Sequence, residues 1–323
     1  MNLFFVSSPF QLICAMEAIA HYKCKQNLLV IRDQENDLAE RHVSEILCKD
    51  DWAYIIKLPK KPKKFSLPRL PGLLNKIKKI KPDMTFDKVF FAEYSTWRIA
   101  VILANVQADR EIMFDDGTLT LFEFENKIRD KKVVNVSRPK KELSLRLLGY
   151  KRSRLIKPHT NFEMFTMFNI SSPDINIQKN CFDVLKQARR LNDVYSDSGD
   201  IVFIGDGGTK KILNLDKYVL SLKLLCSANP SKTIYYFPHR NEPSAVRKLI
   251  SKVEGLEYVN SLLPIEMQIQ QVSKGVSAIY GFYSSALYSL STIYTNIPLY
   301  TRKLENVELN IEAQDSYLLS ESI

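Results

Sequence analysis

The sequence predicts an α/β protein made of two doubly wound, Rossmann-like domains facing each other across a cleft. Short apolar, strand-like runs alternate with helical patterns along most of the chain, as they do where helices cover a parallel sheet. That alternation starts twice, at "NLFFV" (2–6) and again at "DIVFIGDGG" (200–208). The length, 323 residues, suits two domains of ordinary size.

In the first half, "NLFFV" leads through "SSPF" into a helix from about Gln11 to Tyr22. "NLLVIR" (27–32) is the next strand, followed by an amphipathic helix over 36–48 and a third strand, "AYIIKL" (53–58). The basic, Pro-rich stretch after it reads as a loop. A helix over 71–80, the strand "KVFFAE" (88–93), a helix over 95–106 and the strand "EIMF" (111–114) complete the unit. Residues 125–198 have a basic middle and a polar pattern that predicts a helix near 176–193, and "SDSGD" closes them like a linker. The second series continues with a helix over 214–227, "TIYYFPH" (233–239) and a helix over 242–253. The strand "LEYVN", a helix over 264–272, "VSAIYGFYSSAL" (276–287) and a last helix and strand in "SLSTIYTNIPLYT" finish it. The expected division is an N-terminal domain over 1–155, a linker over 156–199 and a C-terminal domain over 200–323.

Hydrophobic residues make up 45% and charged residues 25%, which places the chain among globular rather than disordered proteins. No apolar run approaches the roughly 18 residues that cross a bilayer. The opening "MNLFFVSSPFQLICAMEAIA" lacks a basic start and is interrupted by Pro9, so it reads as strand, turn and helix rather than signal peptide. Five scattered cysteines (Cys14, Cys24, Cys48, Cys181, Cys226) without a C-x-x-C pair argue for reduced thiols in a cytoplasm. They argue equally against a zinc site, and His21, His42 and His159 show no ligand spacing.

The net charge of +10 is concentrated in "KLPKKPKKF" (57–65), "NKIKKIKPD" (75–83) and "LRLLGYKRSRLIKPH" (145–159). These runs lack the interleaved aromatics of a nucleic-acid stacking platform, which argues against a nucleic-acid partner. An anionic membrane surface and a merely solvated basic face both explain them.

Glycine is scarce, 10 in the chain, yet Gly117, Gly205, Gly207, Gly208 and Gly281 fall at strand ends, where open α/β sheets bind ligands. In "EIMFDDGTLTLFEF" (111–124), Asp115, Asp116 and Gly117 follow a strand. Neighbouring strand residues point to opposite faces, so one carboxylate at most faces a given ligand; a plain Asp-Gly turn is the alternative. "GDGGTKK", with Gly205, Asp206 and Gly207, suits a phosphate at a helix N-terminus or a tight turn. "YYFPHRNEP" puts His239 and Arg240 at the end of another strand, where an imidazole meets a phosphate oxygen or plays a structural part. "GFYSSALYSL" sets Tyr283, Ser284 and Ser285 before a helix, as an anion site or an ordinary N-cap.

An acidic pair with glycine in the first half, then a proline-flanked histidine and a serine pair, resembles the bacterial sialyltransferases. It is most similar to glycosyltransferase family 52, the lipooligosaccharide and O-antigen α-2,3-sialyltransferases. Related sialyltransferase and polysialyltransferase families share a D/E-D/E-G motif, an H-P motif and a serine pair. "FDDGT", "PHR" and "YSSAL" sit where those motifs fall, and "FFVSSPFQLICAMEAI" looks like the family's opening strand, loop and helix. The resemblance runs from residue 2 to about 300. One departure is that His239 is followed by Arg240 rather than Pro, which touches the shape of the turn but not the imidazole.

The resemblance implies a GT-B-like enzyme that moves sialic acid from CMP-sialic acid to a galactoside hydroxyl, with inversion and no metal or other cofactor. The expected base is Asp116, with Asp115 in a supporting role, and Asp206 is the rival. His239 would act on the leaving phosphate and Ser284 and Ser285 would hold it. Gly205, Asp206, Gly207, Arg240 and Tyr283 complete the donor side, and Ser7, Ser8 and Gly117 line the acceptor side. The implied acceptor is a lipid-linked surface glycan, met at the cytoplasmic face of a bacterial inner membrane, and a homodimer is compatible with all of this. Transfer of another CMP-activated nonulosonic acid, or polysialyl synthesis, keeps the scaffold and changes the sugar. A non-catalytic, membrane-associated scaffold of polysaccharide assembly is the reading from a different class.

Overall fold

The computed structural model describes residues 1–34, 37–59, 69–189, 194–205, 215–239, 242–272, 275–281 and 284–301. They form two compact units, Met1–Asn180 and Cys181–Ile323.

The first unit opens with β1 (Asn2–Val6), α1 (Pro9–His21), β2 (Asn27–Arg32), α2 (Asp37–Ile46) and β3 (Tyr54–Leu58). It continues with α3 (Arg69–Ile80), β4 (Thr85–Phe91), α4 (Trp97–Asn105) and β5 (Gln107–Phe114). After α5 (Leu119–Glu123), prolonged by a π-helical turn over Phe124–Ile128, come α6 (Pro139–Leu147), β6 (Phe162–Thr166) and β7 (Asn176–Lys179). The seven strands lie in the order β3-β2-β1-β4-β5-β6-β7, and every pair is parallel. A parallel sheet covered on both faces demands strands that are apolar throughout, and all five residues of β1 are buried. Phe4 of β1 stacks on Phe90 of β4 with ring centroids 4.1 Å apart, and Trp52 meets it edge-on. α1 starts where it does because Ser8 caps it, accepting from Gln11 N at 3.2 Å, with Pro9 in the first turn.

The second unit contains α7 (Asp183–Arg189), β8 (Tyr195–Ile204), α8 (Leu215–Ala228), β9 (Ile234–Phe237) and α9 (Ser244–Ile250). β10 (Leu256–Tyr258), α10 (Ile265–Val272), β11 (Val276–Gly281), α11 (Ser285–Ile293) and β12 (Leu299–Thr301) follow. Its parallel sheet has the order β10-β9-β8-β11-β12. Strand order reverses direction between β1 and β4 in the first unit and between β8 and β11 in the second. At such points a crevice opens beyond the carboxyl ends of the strands.

Two expectations need correction. The stretch 156–199 is not a linker, because β6 and β7 extend the first sheet and β8 begins at Tyr195. Residues 176–179 are strand rather than helix, and the helix of that region is confined to Asp183–Arg189. The physical reason in β6 is Glu163, a buried carboxylate inside an apolar run. Tyr22 donates to its Oε1, and Asn176 Nδ2 donates to its Oε2 at 2.8 Å. Among the described residues, no helix is long and apolar enough to cross a membrane. None of the five cysteines is in a disulfide.

Candidate active site

At the end of β5 the two adjacent carboxylates part company. Asp115 is fully buried on the side of β6, where Thr166 Oγ1 donates to its Oδ1 at 2.6 Å and Met167 N to its Oδ2 at 2.7 Å. Burial pushes its carboxyl up to about 7, against the pull of the Thr166, Met167 and Thr120 hydrogen bonds and of Lys179. Asp116, the next residue, is only half-buried and turns to α1, where Gln11 Nε2 donates to its Oδ1 at 2.7 Å. Gly117 follows at φ 62°, the left-handed region, so the chain leaves the strand without strain there. Asp116 N donates to Thr120 Oγ1 at 2.8 Å, which ties the turn to the first residues of α5.

Gln11 belongs to a larger array at the β1/β4 switch point. Its Oε1 accepts from Ser7 N at 2.7 Å and Ser7 Oγ at 3.1 Å. Ser7 Oγ also lies 2.6 Å from Glu93 Oε1, just beyond β4, and Glu93 Oε2 pairs with Arg98 of α4 at 3.0 Å. A pocket opens here, lined by Ser7, Gln11, Arg32, Glu93 and Arg98 on its polar side and by Leu58, Leu70 and Leu73 on its apolar side. Of the residues read as the acceptor side, Ser7 is in this array, Ser8 is the α1 cap, and Gly117 shapes the Asp turn. Gln11, Glu93 and Arg98 were missed. Glu93 was the last residue of the strand-like run "KVFFAE", the same strand-end signal that singled out the other sites.

In the second unit, Gly205, His239 and Ser284 follow β8, β9 and β11, three neighbours in one sheet. Gly205 N donates to Phe237 O at 2.7 Å. A Cβ on Gly205 would lie 2.3 Å from the Tyr236 hydroxyl and 2.8 Å from Phe237 O, so the close approach itself requires glycine. His239 is half-buried, and its carbonyl accepts from Glu242 N at 2.8 Å. The Glu242 carboxylate in turn accepts from Tyr236 at 2.6 Å and Tyr258 at 2.7 Å, while Tyr236 meets Tyr218 at 3.0 Å. Burial raises the Glu242 carboxyl above its ordinary value in spite of the two phenols. Ser284 caps α11, accepting from Ala286 N at 3.3 Å, and Ser285 is the first residue of that helix. Asp206, Gly207, Arg240 and Tyr283 lie outside the described residues.

Residues 2–301 match the family described as Alpha-2,8-polysialyltransferase (POLYST). No curated protein matches the sequence. Among solved structures, the Methanocaldococcus jannaschii UDP-GlcNAc 2-epimerase in complex with UDP-GlcNAc and UDP is similar at TM-score 0.53 and 10% identity. That alignment covers 98% of this chain and 87% of that one. The Neisseria meningitidis UDP-GlcNAc 2-epimerase bound to UDP-GlcNAc gives 0.53's near neighbour, TM-score 0.52 at 12% identity, covering 100% and 90%. The GT-B domain of a Photobacterium damselae sialyltransferase aligns at TM-score 0.49 and 11% identity, covering 99% and 96%. At such identities the likeness concerns fold alone, and the fold is GT-B-like.

Proposed function

The chain belongs to the α-2,8-polysialyltransferase family, and on that premise we propose that it transfers sialic acid from CMP-sialic acid to a glycan already ending in sialic acid. The reaction needs a base for the acceptor hydroxyl and stabilisation of the departing CMP phosphate around an oxocarbenium-like transition state. Asp116 removes the proton as the hydroxyl attacks with inversion, and the Gln11 amide fixes the direction of its carboxylate. Asp115, enclosed by Thr166 and Met167, anchors the turn. His239 donates to the leaving phosphate, the hydroxyls of Ser284 and Ser285 where α11 begins hold it, and Gly205, Asp206, Gly207, Arg240 and Tyr283 are the further donor-side residues. A nucleoside monophosphate carries less charge than a diphosphate, so no metal is required.

The observation that supports this reading most is the division at the Asp turn: one carboxylate enclosed, its neighbour half-buried and oriented by a helix side chain. The deciding experiment incubates the protein with CMP-sialic acid and either an α-2,8-linked oligosialyl acceptor or a lactoside, with and without EDTA, read by mass. The expected result is stepwise addition of sialyl residues to the oligosialyl acceptor, unchanged by EDTA. Addition to the lactoside alone would return the acceptor to the galactoside of the family-52 resemblance. No transfer, and no thermal shift with CMP, would leave the non-catalytic scaffold.

A further inference from the structure

Helix α6 is turned inside out for a water-facing helix. It buries Glu142, 2% exposed, together with Leu145, and leaves Leu143 58% and Leu147 78% exposed. Residues four apart share a helix face, so these two leucines form one outward stripe, which Leu148 prolongs. The inversion is held in place by Glu142. Burial alone would raise its carboxyl, but donors from Ser153, Trp97, Arg138 N and Ser137 outweigh it and hold the group down at about 2. The segment that follows repeats the pattern. The bridge between Val134 and Ile156 buries Ile156, and alternation along the chain sends Val133 and Leu155 outward, 57% and 59% exposed.

Cations surround these side chains. Lys140, Arg146, Lys151, Arg152 and Lys157 are exposed, and none is paired with a carboxylate among the described residues. α3, which packs against α6, adds exposed Lys76, Lys78 and Lys79. A nucleic acid would satisfy the cations and leave the leucines in water. A second copy of the same face would set five like charges against five. A bilayer surface carrying anionic lipid satisfies both, with leucines at the acyl boundary and basic heads among the phosphates.

We propose that α6 and residues 148–157 form a docking face for an anionic membrane surface. The face lies within the first unit and is independent of the sugar chemistry. It makes the basic run at 145–159 one half of a composite whose other half is apolar.

The test uses the full chain with vesicles of phosphatidylcholine, and of phosphatidylcholine with about a third phosphatidylglycerol, by co-sedimentation. The wild type should prefer the anionic vesicles. The double substitution Leu143→Ser with Leu147→Ser should weaken that partition about tenfold or more. Arg146→Gln with Arg152→Gln should weaken it about fivefold per residue. Both variants should melt at the wild-type temperature, because the altered side chains are exposed. Equal binding to neutral and anionic vesicles overturns the proposal. So does unchanged binding of the leucine variant, which would leave charge alone at work. A concentration-dependent dimer abolished by the leucine substitutions also overturns it, since a second copy would then be the occupant.

Discussion

Gln11 Nε2 donates to Asp116 Oδ1 at 2.7 Å, and the amide has no alternative orientation, because its Oε1 already accepts from the backbone N–H of Ser7 at 2.7 Å. A backbone amide is a donor only, so the oxygen is fixed on Ser7 and the NH2 group on Asp116. The orientation of a residue on α1 therefore governs a carboxylate just beyond the end of β5.

Gln11→Glu follows directly. The substitution keeps an acceptor for Ser7 but sets a second negative charge beside Asp116, which disfavours ionisation of the pair and raises its apparent pKa. A base must be ionised to act, so the acid limb of the kcat/KM profile should move to higher pH, by on the order of one unit. Gln11→Ala removes the donor without adding charge and should lower kcat about tenfold, with a smaller displacement of the limb. An unmoved limb in Gln11→Glu would separate Asp116 from proton transfer.

Glu93 joins Ser7 to Arg98 across the β1/β4 switch point. Glu93→Gln keeps an oxygen for Ser7 and gives up the ion pair. Both partners are partly exposed, so the loss in stability should stay within about 1 kcal/mol, a fall in Tm of about 2–4 °C. The larger effect is expected on the acceptor, because Arg98 is released at the pocket wall: acceptor KM should rise with kcat little changed. Initial-rate kinetics and thermal melts on the same preparation measure the two effects side by side.

How far these features could be read from sequence depends on how local their signals are. β1, β2 and the C-terminal half of β4 are buried on both faces and appear as apolar runs, so their positions follow from composition alone. β6 was hidden by Glu163, whose burial is satisfied by Tyr22, 141 residues away. β7 was hidden because "NIQK" is a partly exposed edge strand with no apolar face. The Asp-Gly turn was legible as an unusual strand end. Gln11 was not, since a glutamine on a helix carries no pattern until the fold brings it to a residue 105 positions on.

Asp115 carries a pH signature of its own. Its carboxyl is raised from the ordinary 3.8 to about 7, so the folded chain holds a proton that the unfolded chain releases between those values. Stability from this group is full below about pH 4 and falls as pH rises to about 7, on the order of a few kcal/mol in all. Asp115→Asn abolishes the titration. Its amide can turn its oxygen to Met167 N and its NH2 to Thr166 Oγ1, so the variant keeps both contacts and loses only the dependence on protonation. The margin of wild type over variant should therefore shrink between pH 4 and 7 in urea titrations. A margin that widens over that window would reverse the sign of the shift.

Gly205→Ala tests the packing beneath the second strand-end cluster. The new methyl would meet the Tyr236 hydroxyl at 2.3 Å, and that hydroxyl is fixed between Glu242 and Tyr218. Overpacking of this kind costs about 1–3 kcal/mol. Because β8 and β9 pair at this level, CMP affinity should weaken with Tm. Adding Tyr236→Phe removes the hydroxyl but leaves the ring carbon Cζ at 2.4 Å and Phe237 O at 2.8 Å, so rescue should be slight. A variant with wild-type Tm and wild-type CMP affinity would refute the account of why glycine stands there.

The roles proposed for the two units separate most clearly in a pair of variants. Asp116→Asn preserves size and can still accept from Gln11, but it cannot take the acceptor's proton. Its turnover should fall on the order of 10²–10⁴, while CMP binds with near wild-type affinity. His239→Ala removes a partner of the donor phosphate, so CMP affinity should weaken along with kcat. Glu242 N donates to His239 O, and the Glu242 carboxylate accepts from Tyr236 and Tyr258. A thermal melt of His239→Ala beside the titration separates a chemical loss of CMP affinity, with Tm unchanged, from a structural one, with Tm lowered. Calorimetric titration with CMP, beside single-turnover rates, reads both effects. If Asp116→Asn lost CMP binding while His239→Ala kept it, the two roles would have to be exchanged between the units. If Asp116→Asn stayed fully active beside an inactive Asp206→Asn, the base would move to the second unit.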